Sequence, residues 1–139
     1  MQPEDLMGEW RLLSATLTVA GEANSILDPN RHFIKLFTAS HFAFFSRLPE
    51  RPRYTLPPSD SNLIAGGKSF DAGGGRYDLE GDNYIEHIDY CSFPNYEGIS
   101  IAFTLSFENG VLTQQGTYPL VKLGLGEVDG YLVETYEKI

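Results

Sequence analysis

The chain has 139 residues and a formal net charge of −9, and 42% of its residues are hydrophobic. This length fits one domain over residues 1–139 with its own core. The acidic balance leaves no basic face for a phosphate backbone, and no apolar run approaches the ~20 residues of a membrane span, so neither nucleic acid nor a membrane is an expected partner.

The N-terminus and the cysteine content indicate a compartment. Residues 1–5 are acidic and lack the basic and apolar regions of a secretory signal, so the chain is expected to be cytoplasmic. The single cysteine, Cys91, cannot form an intramolecular disulfide and fits a reducing environment. The three histidines match no metal-ligand pattern, so neither a metal nor a cofactor is expected.

Strand patterns dominate the chain. Pro3 and the acidic residues after it predict one short helical turn over residues 3–7. Eight segments rich in aromatic and β-branched residues, bounded by Gly, Asn, Asp and Pro, are predicted as strands. They are residues 10–19, 33–38, 41–47, 75–80, 83–91, 99–108, 111–118 and 129–138. Eight such strands with short turns predict an all-β, up-and-down antiparallel barrel, because closure removes the exposed sheet edges.

The predicted hairpin at 33–46 is apolar on both faces. Its first face carries Phe33, Lys35, Phe37, Phe42 and Phe44, and its second carries Ile34, Leu36, Ala43 and Phe45. One face is expected to line the barrel and the other to be covered by a second copy, which predicts a homodimer. Lys35 either places its ammonium in the cavity near Glu86 or extends to the surface.

The longest segment without a strand pattern runs over residues 47–68. It contains four prolines and carries Arg47, Arg51, Arg53 and Lys68. A segment of this length and charge indicates either a solvated loop or a basic lid over the barrel mouth.

The two-residue turn Gly81-Asp82 fixes the register of the central hairpin. It places on one inward face Tyr77, Leu79, Tyr84, Glu86, Ile88 and Tyr90. His87 then points outward. The three glycines at 73–75 precede this hairpin and predict a bulge or bend at a barrel corner.

The turn Asn109-Gly110 fixes a second hairpin. Its inward face is predicted to carry Phe103, Leu105, Phe107, Leu112 and Gln114. Gln114 is thus a polar residue on an apolar face.

Several short motifs occur in a familiar order. Gly8-Glu9-Trp10 has the Gly-x-Trp form of lipocalins. It is followed in order by the segment at 34–42, Gly73-Gly74-Gly75-Arg76-Tyr77, Tyr84-Ile85-Glu86-His87-Ile88 and Asp129-Gly130-Tyr131. Over nearly its whole length the chain resembles the short bacterial lipocalin-like proteins, which are calycin-type barrels. The resemblance implies an eight-stranded lipocalin-like barrel with Trp10 across its closed bottom and a cavity for a small, largely apolar molecule. Barrels of this type have also been recruited as cyclases and isomerases.

Inward polar and aromatic side chains are the candidate site. Glu86 is the candidate general acid or base, or a ligand partner, although tyrosine hydroxyls could equally hold it as a satisfied core residue. The residues expected to bind the ligand are Trp10, Lys35, Phe44, Tyr77, Tyr84, Tyr90, Phe103, Gln114 and Tyr118. The expected function is binding of a small hydrophobic or aromatic molecule. A cofactor-free cyclase or isomerase that uses Glu86, and a filled barrel that acts through its surface, are the alternatives.

Overall fold

Nine strands and three short α-helices make up the computed structural model, which describes residues 1–139. The strands are β1 Gly8–Val19, β2 Glu22–Ser25, β3 His32–Phe37, β4 His41–Arg47, β5 Phe70–Glu80, β6 Asn83–Cys91, β7 Ser100–Glu108, β8 Val111–Tyr118 and β9 Gly130–Lys138. The helices are α1 Pro3–Leu6, α2 Asp60–Ser69 and α3 Leu120–Leu123, with a 3₁₀ turn at Pro94–Tyr96. No helix is long and apolar enough to cross a membrane.

The strands form one closed antiparallel barrel. From β3 onward each strand pairs with the next in the chain, and β9 pairs back onto β1 along residues 10–19. The short β2 pairs with the second half of β1, while β3 pairs with the first half. The strands β2 and β3 therefore occupy one position beside β1, so the nine strands fill eight positions around the barrel. The predicted eight-stranded up-and-down barrel is confirmed.

The closed end of the barrel is a packed apolar core. Trp10 is buried there, and its indole N–H donates to the Leu6 carbonyl at 2.7 Å, which ties α1 across the end of the barrel. Phe37 packs edge-on against both Tyr77 and Tyr84. Trp10 thus has the position that the Gly-x-Trp resemblance implies.

The glycines at 73–75 lie at the predicted bulge. The register between β5 and β6 shifts between Gly74 and Gly75. A Cβ on Gly75 would lie 1.9 Å from the His87 carbonyl oxygen, so only glycine allows the two backbones to approach this closely.

The segment predicted as a loop or lid contains α2. Ser59 caps this helix by accepting from the Asn62 backbone N–H at 3.1 Å. Arg51 donates to the Ser69 hydroxyl at 3.0 Å and to the Gly66 carbonyl at 3.3 Å, so it holds the segment to its own helix. No residue between 47 and 69 lines the cavity described below, so the prediction of a basic lid has no support in this arrangement.

Candidate functional site

A cavity of about 210 Å³ occupies the half of the barrel opposite α1. Thirteen of its eighteen lining residues are hydrophobic. The lining residues are Ile26, Phe33, Lys35, Phe42, Phe44, Asp71, Gly74, Glu86, Ile88, Cys91, Phe93, Tyr96, Ile101, Phe103, Tyr118, Leu132, Glu134 and Tyr136. A confined space with apolar walls and a few polar groups has the character of a small-molecule site.

Strand alternation places the polar groups midway along the barrel. In β3, Phe33 lines the cavity, Lys35 comes next on the same face, and Phe37 belongs to the packed core. In β6, Tyr84 belongs to the core and Glu86 lines the cavity. The polar side chains therefore form the floor of the cavity, above the apolar core.

Lys35 and Glu86 form a buried ion pair on this floor. Lys35 Nζ lies 2.5 Å from Glu86 Oε2, and the two residues are only 4% and 8% exposed. The inward alternative for Lys35 is therefore the one observed. Removal of either partner would leave an uncompensated buried charge at a cost of about 3–5 kcal/mol.

Two further side chains hold this pair. The Tyr84 hydroxyl donates to Glu86 Oε2 at 2.8 Å, and Lys35 Nζ donates to Gln114 Oε1 at 2.9 Å. Gln114 is fully buried, so its place on the apolar face of β8 is explained by its role as an acceptor for the lysine. Burial, followed by the nearby Glu86 charge, raises the pKa of Tyr84 well above its usual range, which keeps the phenol a donor.

Glu134 is a second carboxyl group of the cavity floor that the sequence analysis missed. It lies on β9 opposite Gln114. Burial raises its pKa to about 7; Glu86 also raises it, while Lys35 and the Tyr136 hydroxyl lower it. The alternation Leu132-x-Glu134-x-Tyr136, with both flanking residues buried, is the pattern that could have revealed it.

A second cluster of polar side chains lies at the outer part of the cavity. The hydroxyls of Tyr96 and Tyr118 lie 2.5 Å apart, and Ser92 donates to the Asp71 carboxylate. Burial raises the pKa of the Cys91 thiol beside them, which disfavours the reactive thiolate.

Most of the predicted ligand-binding residues lie in or below the cavity. Those that line it are Lys35, Phe44, Phe103 and Tyr118, and the candidate acid or base Glu86 lines it as well. Those that are buried but do not line it are Trp10, Tyr77, Tyr84 and Gln114. Tyr77 donates to the Thr38 carbonyl at 2.6 Å, at the closed end.

The predicted inward position of Tyr90 is wrong. Tyr90 is 73% exposed on the outside of the barrel. The bulge pairs Gly74 with Tyr90 and Gly75 with Ile88, so Asp89 is an extra residue and the side chains after it change face. Cys91 lines the cavity instead.

His87 faces outward, as predicted, and belongs to a polar chain across three strands. Its Nδ1 lies 2.7 Å from the Ser100 hydroxyl, and its Nε2 lies 2.7 Å from Asp78 Oδ2. The Asp78 side chain is 73% exposed, so this serine, histidine and aspartate lie on an open sheet surface. The arrangement explains how the outer face of β5 to β7 satisfies its polar groups.

No group of three or more His, Cys, Asp and Glu side chains is arranged to hold a metal ion. The carboxyl groups that reach the cavity floor, Glu86 and Glu134, are instead placed among a lysine and tyrosines. Such a floor can bind polar groups of a ligand and can exchange a proton with it.

Comparison with solved structures identifies the fold. A lipocalin-like protein from Bacteroides uniformis superposes with a TM-score of 0.53 over 97% of this chain and 99% of that chain, at 14% sequence identity. An uncharacterized protein from Bacteroides eggerthii covers 95% of this chain and 100% of its own, at 13% identity and a TM-score of 0.46. No family model matches the sequence, and no curated protein matches it. Together with the closed eight-position barrel, the first likeness shows that this chain has the fold of a bacterial lipocalin-like protein.

Proposed function

We propose that the protein binds a small, largely apolar or aromatic molecule in the barrel cavity. The observation that supports this function is the cavity of about 210 Å³ above a polar floor, with walls that are mostly hydrophobic. A barrel that needed only a stable core would fill this half with side chains, as Trp10 and its neighbours fill the other half.

The cavity volume limits the size of the ligand. A cavity of ~150 Å³ holds benzene, and drug-sized ligands occupy ~300 Å³ or more. The volume here, about 210 Å³, lies between these values. The proposed ligand is therefore a single ring or a similarly short apolar body with a few additional atoms.

Native mass spectrometry tests for a molecule that remains bound during purification, and calorimetry with 2-phenylethanol tests the empty protein. Ile101 lines the cavity, so Ile101→Phe reduces the space and is expected to weaken binding by about tenfold or more. Ile85 faces outward between Tyr84 and Glu86, so Ile85→Phe makes the same substitution outside and should leave binding unchanged. If no molecule co-purifies and neither 2-phenylethanol nor its amine and carboxylate analogues bind, the barrel acts through its surface and the proposal fails.

Catalysis in the same cavity is the second candidate function. The proposed reaction class remains a cofactor-free cyclisation or isomerisation, with Glu86 as the candidate acid or base. Glu134 is a further candidate, because burial raises its pKa to about 7, close to the pH at which a general acid or base works best. Chromatography and NMR of the released ligand distinguish the two functions, since an isomer has the mass of its substrate: a carrier returns its ligand unchanged after incubation, whereas an enzyme converts it to an isomer or cyclised product.

A further inference from the structure

We propose that the ligand of this cavity carries a protonated amine, held by Glu134 and by Glu86 Oε1, the oxygen that accepts no hydrogen bond from the protein. This inference rests on the proposed function and specifies the chemical class of the ligand. It follows from the balance of charges, donors and acceptors on the cavity walls.

The charged residues of the cavity are mostly acidic. Three lining residues carry a carboxyl group, namely Asp71, Glu86 and Glu134, and one, Lys35, carries an ammonium. A ligand with a carboxylate would add negative charge to a space of low dielectric constant that already has an excess of it. A ligand with a positive charge would reduce that excess.

The ammonium group of Lys35 already has hydrogen-bond partners within the protein. Its Nζ donates to Glu86 Oε2 at 2.5 Å and to Gln114 Oε1 at 2.9 Å. The rings of Phe37, Phe42, Tyr84 and Tyr136 surround it at 5.2–5.5 Å from their centroids. An anionic ligand would therefore have to compete with Glu86 for the lysine.

The two carboxyl groups of the cavity floor can accept more hydrogen bonds than the protein donates to them. Lys35, Tyr84 and Gln114 all donate to Glu86 Oε2, and no protein donor reaches Oε1. Glu134 interacts with the Tyr136 hydroxyl alone among neutral donors. An ionised carboxylate has about four acceptor sites, so both groups can accept further hydrogen bonds.

An ammonium matches this floor in both charge and hydrogen bonding. It supplies three donors and one positive charge, whereas a hydroxyl supplies one donor and no charge. Because burial raises the pKa of Glu134 to about 7, a neighbouring cation would stabilise the ionised carboxylate. Phe33 and Phe44, stacked at 5.7 Å, offer an apolar wall for the ring of the ligand.

Three probes of similar size test the inference: 2-phenylethylamine, 2-phenylethanol and phenylacetate, measured by calorimetry at pH 8. We expect the amine to bind about tenfold or more tightly than the alcohol, and phenylacetate to bind most weakly. If the alcohol and phenylacetate bind as tightly as the amine, the inference is overturned while the proposed function stands. If none of the three binds, both are overturned.

A matched pair of variants separates the local carboxylate from the acidity of the whole chain. Glu134→Gln is expected to lower the affinity for the amine to within about threefold of the affinity for the alcohol. Glu137→Gln removes the same charge from the outer face of β9, where Glu137 pairs with Arg11, and should preserve the preference for the amine. Equal effects of the two variants would contradict a specific contact, and the series on the unmodified protein decides the question if Glu134→Gln does not fold.

Discussion

Glu134 is the residue whose burial has the clearest energetic consequence. Its pKa rises from 4.5 to about 7 in the folded chain, so the native state binds a proton more tightly than the unfolded state. Stability therefore falls as the pH rises from about 4.5 through 7, because ionisation becomes easier after unfolding. A shift of this size corresponds to roughly 3 kcal/mol.

Replacement of Glu134 by glutamine should remove this dependence. We expect Glu134→Gln to match the original protein near pH 4, where the carboxyl group is mostly protonated in both states, and to be more stable by roughly 3 kcal/mol at pH 8.5, since the neutral amide avoids a buried charge. Urea unfolding at a series of pH values measures the difference. Glu137→Gln is the control, because that exposed carboxylate pairs with Arg11 at the surface. Parallel stability curves for the original protein and Glu134→Gln would show that Glu134 does not titrate as expected.

Of the three charged residues on the cavity floor, the sequence predicts the position of one, leaves the second open and misses the third. Glu86 could be placed inside because a two-residue turn fixes the register of its hairpin. Lys35 could not be decided, because a lysine stem is long enough to reach either the cavity or the surface. Glu134 was missed because no turn fixes the register of β9, whose partners β8 and β1 are joined to it by α3 or by barrel closure.

At the scale of elements, the bulge between β5 and β6 decides which side chains reach the cavity. One extra residue, Asp89, turns Tyr90 outward and allows Cys91 to line the space. The glycine run predicted a bulge here, but neither its position nor its direction follows from composition. The prediction for Tyr90 failed because the alternation was extended across it.

Gly75 should be the most sensitive position of this bulge. A Cβ there would meet the His87 carbonyl oxygen at 1.9 Å and the Asp89 backbone nitrogen at 2.8 Å, so Gly75→Ala is expected to cost about 3 kcal/mol of stability. Gly67 provides the matched control in α2, because nothing lies within 4 Å of its Cβ position. Gly67→Ala should stabilise the protein by about 0.5–1 kcal/mol through helix propensity. Denaturant unfolding measures both changes, and equal effects would show that the close approach does not constrain the fold.

The helix α2 shows where a local pattern is too weak to predict an element. Gly66 and Gly67 lie within it, and four prolines precede it, which favours a loop. The signal that does mark it is the serine cap at Ser59 with Asn62 three residues later. Such a cap is short and common, so it does not outweigh the glycines.

At the scale of the whole molecule, closure divides the barrel into a packed half and a hollow half. The eight barrel positions and the up-and-down order of their strands could be predicted from alternation and turns, but the short β2 was not predicted. The closed end at Trp10 is what the resemblance to lipocalin-like proteins implies. The resemblance also implies a cavity, but the volume of the cavity could not be predicted, because it depends on how side chains from opposite strands meet. The inner face of β9 forms part of the cavity wall, and the sequence analysis placed no residue of this strand inside the barrel.

The outer face of β3 and β4 leads to the remaining prediction, a homodimer. Ile34, Leu36 and Ala43 are half-buried there, and Phe45 is 43% exposed. The exposed ring of Tyr90 lies across the neighbouring β5, and a shallow groove over the three glycines joins it to Phe45. A second copy of the same face would cover these apolar groups.

Light scattering at micromolar concentration should give twice the mass of one chain. Each chain carries a net charge of −9, so association should strengthen with salt as the repulsion between copies is screened. Phe45→Glu places a charge in the apolar face and is expected to give monomers. Tyr131→Glu adds the same charge to the exposed surface of β9 and should leave the dimer intact, because that strand lies away from β4 in the barrel order. A single-chain mass for the original protein at every salt concentration would contradict the dimer and leave the cavity inside each barrel as the proposed site of function.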